Sequence, residues 1–126
     1  MKNKQIKIRP AIETDYESIN LLFKESYRLY QKVLPEVLKK SPKTIISRGT
    51  FLNTLEDKDW QILVAEINNK PVGMIQAGIE EEIGNDFKRP NRRIEIEEIC
   101  VHKKFNRQGI GRALIAEIEN GLKQRG

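Results

Sequence analysis

Cysteine occurs once in the 126 residues, at Cys100, which excludes an internal disulfide and fits a reducing cytoplasm. Histidine also occurs once, at His102. One of each does not supply a tetrahedral ligand set, so no metal centre is expected. Aromatic residues make up 6% and are not interleaved with basic ones, which argues against a stacking platform for single-stranded nucleic acid. No apolar run approaches the ~20 residues of a transmembrane helix, and no membrane partner is expected. The opening MKNKQIKIRP is basic but has no apolar stretch behind it, so it does not read as a secretory signal. The sequence also lacks a Gly-Lys-Ser/Thr phosphate loop, which argues against a nucleotide triphosphatase.

What is present reads as a polar-surfaced protein with a cytoplasmic setting. Charged residues make up 33% and hydrophobic ones 38%. A chain of this length can bury roughly two-thirds of its unfolded surface, enough for one core, and a single domain over residues 1–126 is expected. The net charge of +5 has several readings: an anionic cofactor, an acidic partner, nucleic acid, or a lysine-rich surface. Because the basic residues are spread along the chain, nucleic acid is not favoured.

The order of elements follows from periodicity. Ile6 and Ile8 alternate with Lys7 and Arg9 as a short strand that Pro10 ends. Thr14 and Glu17 have capping-box spacing. Ile19, Leu22, Phe23, Ser26, Tyr27 and Tyr30 then line one face of a helix from about Asp15 to Gln31. The tyrosines can serve a substrate pocket or, more simply, the core. Pro35 and Pro42 punctuate a basic connection with a short helix expected over Glu36–Lys40. A further helix covers Ser47–Glu56 with Phe51, Leu52 and Leu55 inward. Trp60–Ile67 and Val72–Glu81 are strands joined by Asn68-Asn69-Lys70-Pro71, a β-hairpin. Gly73 and Gly78 inside the second strand mark bulges or close backbone approach. Glu80-Glu81-Glu82 reads as a solvated strand end, and Asn85–Asn91 as a loop.

The strand Arg93–His102 has a parity break. Ile94 and Ile96 fall on one face, Ile99 and Val101 on the other. One extra residue near Glu97-Glu98 puts all four on the same side, so a β-bulge is predicted there. The apolar Cys100 leaves open a strand buried on both faces. Beyond the strand, Ile110, Leu114, Ile118 and Leu122 recur every fourth residue in a helix from about Gly109 to Gln124, with Lys123 and Arg125 at its end and Gly126 as its cap. The mixed order of strand, helices, hairpin, strand and helix is an α/β (α+β) arrangement.

Between strand and helix lies Asn106-Arg107-Gln108-Gly109-Ile110-Gly111. A glycine turn opening a helix aims several free N–H groups and the positive end of the helix dipole at one anion. The glycines allow close approach, and Arg107 and Arg112 add charge. It is not a dinucleotide fingerprint, because Arg112, Ala113 and Leu114 follow and the third glycine is absent. A pyrophosphate fits the turn.

The stretch EEICVHKKFNRQGIGRALI resembles the acetyl-CoA-binding core of the GNAT N-acetyltransferase superfamily. The family signature is Gln/Arg-x-x-Gly-x-Gly/Ala after a bulged strand, and Asn106–Gly111 occupies it with Asn at the first position. IKIRPAIETDYESINLLF is similar to the family's first strand and helix, and WQILVAEINNKPVGMIQAGI to its central hairpin. The resemblance implies the GNAT-like acyl-CoA N-acyltransferase fold, with acetyl-CoA as donor and a small-molecule or peptide amine as acceptor. Ile99, Cys100 and Val101 are then expected to bond the pantetheine arm through their backbone, and Asn106, Arg107, Gln108, Gly109, Ile110, Gly111 and Arg112 to hold the pyrophosphate. The N–H near Ile99 polarises the thioester carbonyl. Glu97 and Glu98 are the candidates for the base that deprotonates the attacking amine. His102, past the strand end, has the character of a surface residue.

The family usually continues after this helix with another strand and helix, the latter often bearing a tyrosine that protonates the departing thiolate. The expectation is an incomplete domain, truncated after the helix that follows the turn, with the 93–102 strand a bare apolar edge open to homodimerisation or strand exchange. A catalytically incomplete CoA-binding or protein-interaction module is the alternative to an active N-acetyltransferase.

Overall fold

A computed structural model describes residues 5–34, 36 and 46–124, leaving the side chains of 29, 30, 123 and 124 aside. Four strands form one antiparallel sheet in the order β1-β2-β3-β4: β1 Lys7–Pro10, β2 Trp60–Ile67, β3 Lys70–Glu82 and β4 Asn91–Val101. Helices α1 (Tyr16–Val33) and α2 (Arg48–Glu56) cover one face, and α3 (Ile110–Gln124) covers the other. Covered on both sides, the central strands read as nearly continuous apolar runs, and Ile62 to Ile67 are all buried. Ile62, Val64 and Met74 pack toward Ile19, Leu22 and Phe51, while Leu63, Ala65 and Ile75 pack toward α3.

The α/β expectation and the element order are borne out, and local chemistry explains each element. The apolar face of α3 repeats every fourth residue, and Ile110, Leu114, Ile118 and Leu122 are all buried. Ser47 caps α2 by accepting from Thr50 N at 3.1 Å. The hairpin turns on Asn68 and Asn69, both left-handed (φ 53° and 64°), a conformation asparagine tolerates in two-residue turns. Gly78 sits opposite Trp60, where a Cβ would stand 2.3 Å from the indole Cδ2, so only glycine admits the ring. The helix expected over 36–40 lies outside the described residues except for Glu36, as do Gly126, Arg125 and the side chains of Tyr30 and Lys123.

One local expectation needs correcting. Thr14 does not cap α1. A single 3-10 turn, Glu13–Asp15, precedes the helix, and Asp15 Oδ2 accepts from Ile12 N at 2.8 Å. Asp15 also receives both terminal nitrogens of Arg9 at 2.7 and 2.9 Å, and Arg9 Nε donates to Glu66 at 3.2 Å. The carboxylate that completes the turn is the one with a cation to hold it, and Thr14 stays exposed. This Arg9 bridge joins β1, β2 and the entry to α1 where the two carboxylates are buried.

The predicted bulge is present in β4. Gln76 pairs with Glu98 and Ala77 with Ile96, leaving Glu97 without a partner on β3. The extra residue restores parity: Ile94, Ile99 and Val101 pack toward α3, and Cys100 is buried on the opposite, α1 side, whereas the fourth residue, Ile96, stays exposed on the groove beside α3. The strand is not buried on both faces, however: along it only Cys100 is buried, and Ile94, Ile99 and Val101 are half-buried.

Candidate functional site

The end of β4 turns its backbone two ways. His102 N donates to Val72 O at 2.8 Å, toward β3. A Cβ on Gly73 would stand 3.2 Å from Cys100 O, so that carbonyl also faces β3 and glycine allows the approach. Alternation then directs the N–H and C=O of Ile99 and Val101 to the opposite edge. Among the described residues that edge has no strand beside it.

Past the strand, one 3-10 turn (Lys103–Phe105) leads to Asn106. Arg107 and Gly109 take the left-handed conformation, with φ 63° and 82°. The first bond of α3 runs from Ala113 N to Gly109 O at 3.0 Å, so the N–H groups of Ile110, Gly111 and Arg112 precede the helical ladder. The side chain of Ile110 is buried, only 1% exposed, and packs into the core below. Its backbone is thus anchored while Asn106, Arg107, Gln108, Gly109 and Arg112 are exposed around it. Space is open over both glycines: a Cβ on Gly109 would meet nothing within 4 Å, and one on Gly111 only Ile99 Cδ1 at 3.8 Å. Among the described residues, neither Arg107 nor Arg112 is engaged in an ion pair. Such a turn can hold an anion on backbone donors, a helix terminus and two cationic side chains.

The two candidate carboxylates are separated by the bulge. Glu97 is exposed. Glu98 is half-buried and accepts from the Cys100 thiol at 3.4 Å. Burial pushes the Cys100 thiol up to about 12, reinforced by the charge of Glu98 and by the hydrogen bond to it, so the sulfur stays protonated. Ser26 of α1 hydrogen-bonds the same thiol, and the charge of Glu25 acts on it. Sequence reasoning did not single out Glu25 and Ser26 for the site. Their signal was spacing: they follow Leu22 by three and four residues, on the face of α1 that turns toward β4. His102 accepts from Lys104 N at 3.1 Å and lies 3.7 Å from Glu25.

Two concavities flank β4. On the α1 side a cleft of about 400 Å³ is lined by Glu25, Ser26, Ile99, Cys100, Val101 and Asn106 among others. On the α3 side a groove of about 470 Å³ runs between Ile94 and Ile96 of the strand and Ile115 and Leu122 of the helix. No helix among the described residues is long and apolar enough to cross a membrane.

Residues 20–126 match the acetyltransferase (GNAT) family. No curated protein matches the chain at the level of sequence. Among solved structures, the chain is similar to a tetramutant of the BH1408 protein from Bacillus halodurans, with a TM-score of 0.86 at 18% identity over 94% of this chain and 76% of that one. An acetyltransferase from Vibrio fischeri superposes with a TM-score of 0.74 at 24% identity, covering 95% of this chain and 88% of its own. The aminoglycoside N-acetyltransferase AAC(6')-Iy, solved in complex with CoA, gives 0.68 at 17% identity over 99% and 74%. At these identities the likeness shows the fold.

Proposed function

The chain belongs to the acetyltransferase (GNAT) family, and on that premise we propose that it transfers an acetyl group from acetyl-CoA to a primary amine by direct attack in a ternary complex. One observation carries the reading: a bulged strand whose end runs directly into an open turn of free N–H groups at the start of α3. The strand edge and the turn suit the two ends of a pantetheine pyrophosphate.

Residues Asn106–Gly111, with Arg107 and Arg112, hold the pyrophosphate. The outward backbone groups of Ile99 and Val101 bond the pantetheine arm, with Cys100 between them fixing the strand to the core. The Ile99 N–H donates to the thioester oxygen and favours the developing oxyanion. Glu98 accepts the proton of the acceptor amine, directly or through water, because it is the glutamate held on the α1 face beside the cleft; the exposed Glu97 is the alternative base. A small-molecule amine is the favoured acceptor class, since the CoA-bound neighbour is an aminoglycoside N-acetyltransferase.

Self-association along the 93–102 edge belongs to the same reading. Among the described residues β4 pairs with β3 alone, and Ile96 is 42% exposed on the groove beside it. A strict monomer in sedimentation at high concentration overturns that part.

Calorimetric titration with acetyl-CoA, followed by thiol release across an amine panel, tests the function. Binding with turnover supports the acetyltransferase. Binding without thiol release points instead to a CoA-binding module, and an absence of CoA binding together with salt-sensitive binding of RNA or DNA overturns both.

A further inference from the structure

The cleft between α1 and β4 carries an excess of positive charge. It is lined by Ile99, Cys100 and Val101, the strand segment that presents backbone to the thioester in the proposed function, and by Arg28, Lys32 and Lys103. Arg28 and Lys32 are four residues apart and so share a face of α1, and Lys103 comes from the turn after β4. Against these three cations stands one lining carboxylate, Glu25, which faces His102. Among the described residues none of the three cations is engaged in an ion pair. On β4, by contrast, Arg92 and Arg93 pair with Glu81 and Glu82.

We infer that the α1–β4 cleft takes an acceptor bearing an anionic group, carboxylate or phosphate, in addition to its amine. The anion is held by Arg28, Lys32 and Lys103, and the amine is thereby delivered to the Ile99–Val101 segment beside Glu98. This rests on the acetyltransferase reading for the direction of the amine, and on the cleft alone for the anion site. Asn106 of the cofactor turn lines the same cleft; the three cations serve the acceptor, and the cofactor phosphates are left to the donors of Asn106–Gly111. Two or three charge-assisted contacts are enough for a preference of at least about tenfold over a neutral analogue.

The test is a set of equilibrium titrations on the full chain. CoA, dephospho-CoA and pairs of amines of matched length ending in carboxylate, phosphate or carboxamide are titrated singly, and the amines are titrated again into CoA-saturated protein. The wild type is expected to bind the carboxylate or phosphate amines at least about tenfold more tightly than the carboxamides. That preference is expected to vanish in Arg28→Gln/Lys32→Gln and to shrink in Lys103→Gln, with melting temperature and CoA affinity unchanged. Both α1 positions are exposed, so the double variant keeps its core. A wild type without the preference overturns the inference. So does a double variant that loses affinity for CoA but not for dephospho-CoA, because the cations then serve the cofactor's 3'-phosphate. If CoA fails to bind, the acetyltransferase reading falls by itself. The anion preference of the unliganded protein, and its loss in the double variant, still decides the cleft.

Discussion

The Cys100 thiol donates to Glu98 Oε1 at 3.4 Å, tying the glutamate that follows the bulge to the α1 face of β4. Glu97, one residue earlier, is the unpaired bulge residue and is exposed. Adjacent in sequence and identical in type, the two carboxylates therefore occupy different surroundings. With Glu98 as base, Glu98→Gln is expected to lower kcat by roughly 10²–10⁴-fold, and Glu97→Gln by less than about tenfold. Thiol release at saturating acetyl-CoA measures both, with thermal melting as the control for folding. Equal losses, or the larger loss at Glu97, would reassign the role.

The same thiol sets an alkaline limit on stability. Cys100 is raised from an ordinary 9.0 to about 12, first by burial and then by the charge of Glu98. Between those values the unfolded chain releases the proton and the folded one keeps it. Folding stability attributable to Cys100 is therefore full below pH 9 and falls as pH rises toward 12. Cys100→Val removes this dependence, so the difference in melting temperature between variant and wild type is expected to shift in favour of the variant across that window. At pH 8 the native thiol is expected to react with iodoacetamide roughly 10³-fold more slowly than a free cysteine, because the thiolate is scarce. Fast native-state labelling would contradict this.

The turn makes a sharper distinction between its two glycines. Gly109 has φ 82° and open space around it, so substitution there costs backbone strain alone. Gly109→Ala is expected to destabilise by ~1 kcal/mol and to weaken CoA binding as the free N–H groups lose their aim. Gly111 lies within α3 with φ outside the left-handed region, and an added methyl meets only Ile99 Cδ1 at 3.8 Å. Gly111→Ala is expected to keep its affinity and to gain up to ~1 kcal/mol of stability from helix propensity. Calorimetry and urea unfolding on the pair check both expectations, and a Gly111→Ala that binds no better than Gly109→Ala would locate the constraint in space rather than in backbone conformation.

Much of this was legible along the chain because it is encoded locally. The bulge was visible because Ile94 and Ile96 disagree in parity with Ile99 and Val101, and a strand with one buried side admits few repairs. Asn68-Asn69 and Gly109-Ile110-Gly111 announce their turns by residues that tolerate positive φ. What stayed hidden depends on distant partners. Thr14 and Asp15 are both acceptable capping residues, and what decides between them is Arg9 with its second bond to Glu66, 57 residues away. The cleft needs the crossing of α1 over β4, which no spacing within either element specifies.

That Arg9 centre yields the most direct acid-side prediction. Arg9 holds the Asp15 carboxyl below its ordinary value, outweighing the burial that opposes it, and the Ile12 N–H adds to the effect. A depressed carboxylate contributes stability above its unfolded value of about 3.9 and loses it as pH falls through its folded value. Asp15 is 6% exposed, and its side chain bonds both terminal nitrogens of Arg9. Asp15→Asn is expected to cost about 2–3 kcal/mol at pH 7, below the usual range for a fully buried pair because Arg9 is partly exposed and retains Glu66. Urea unfolding of the two proteins from pH 7 down to pH 2 tests the charge argument. The gap between them closes below about pH 4 if charge is the cause. A gap of constant size would instead trace the loss to the geometry of the Ile12–Asp15 turn.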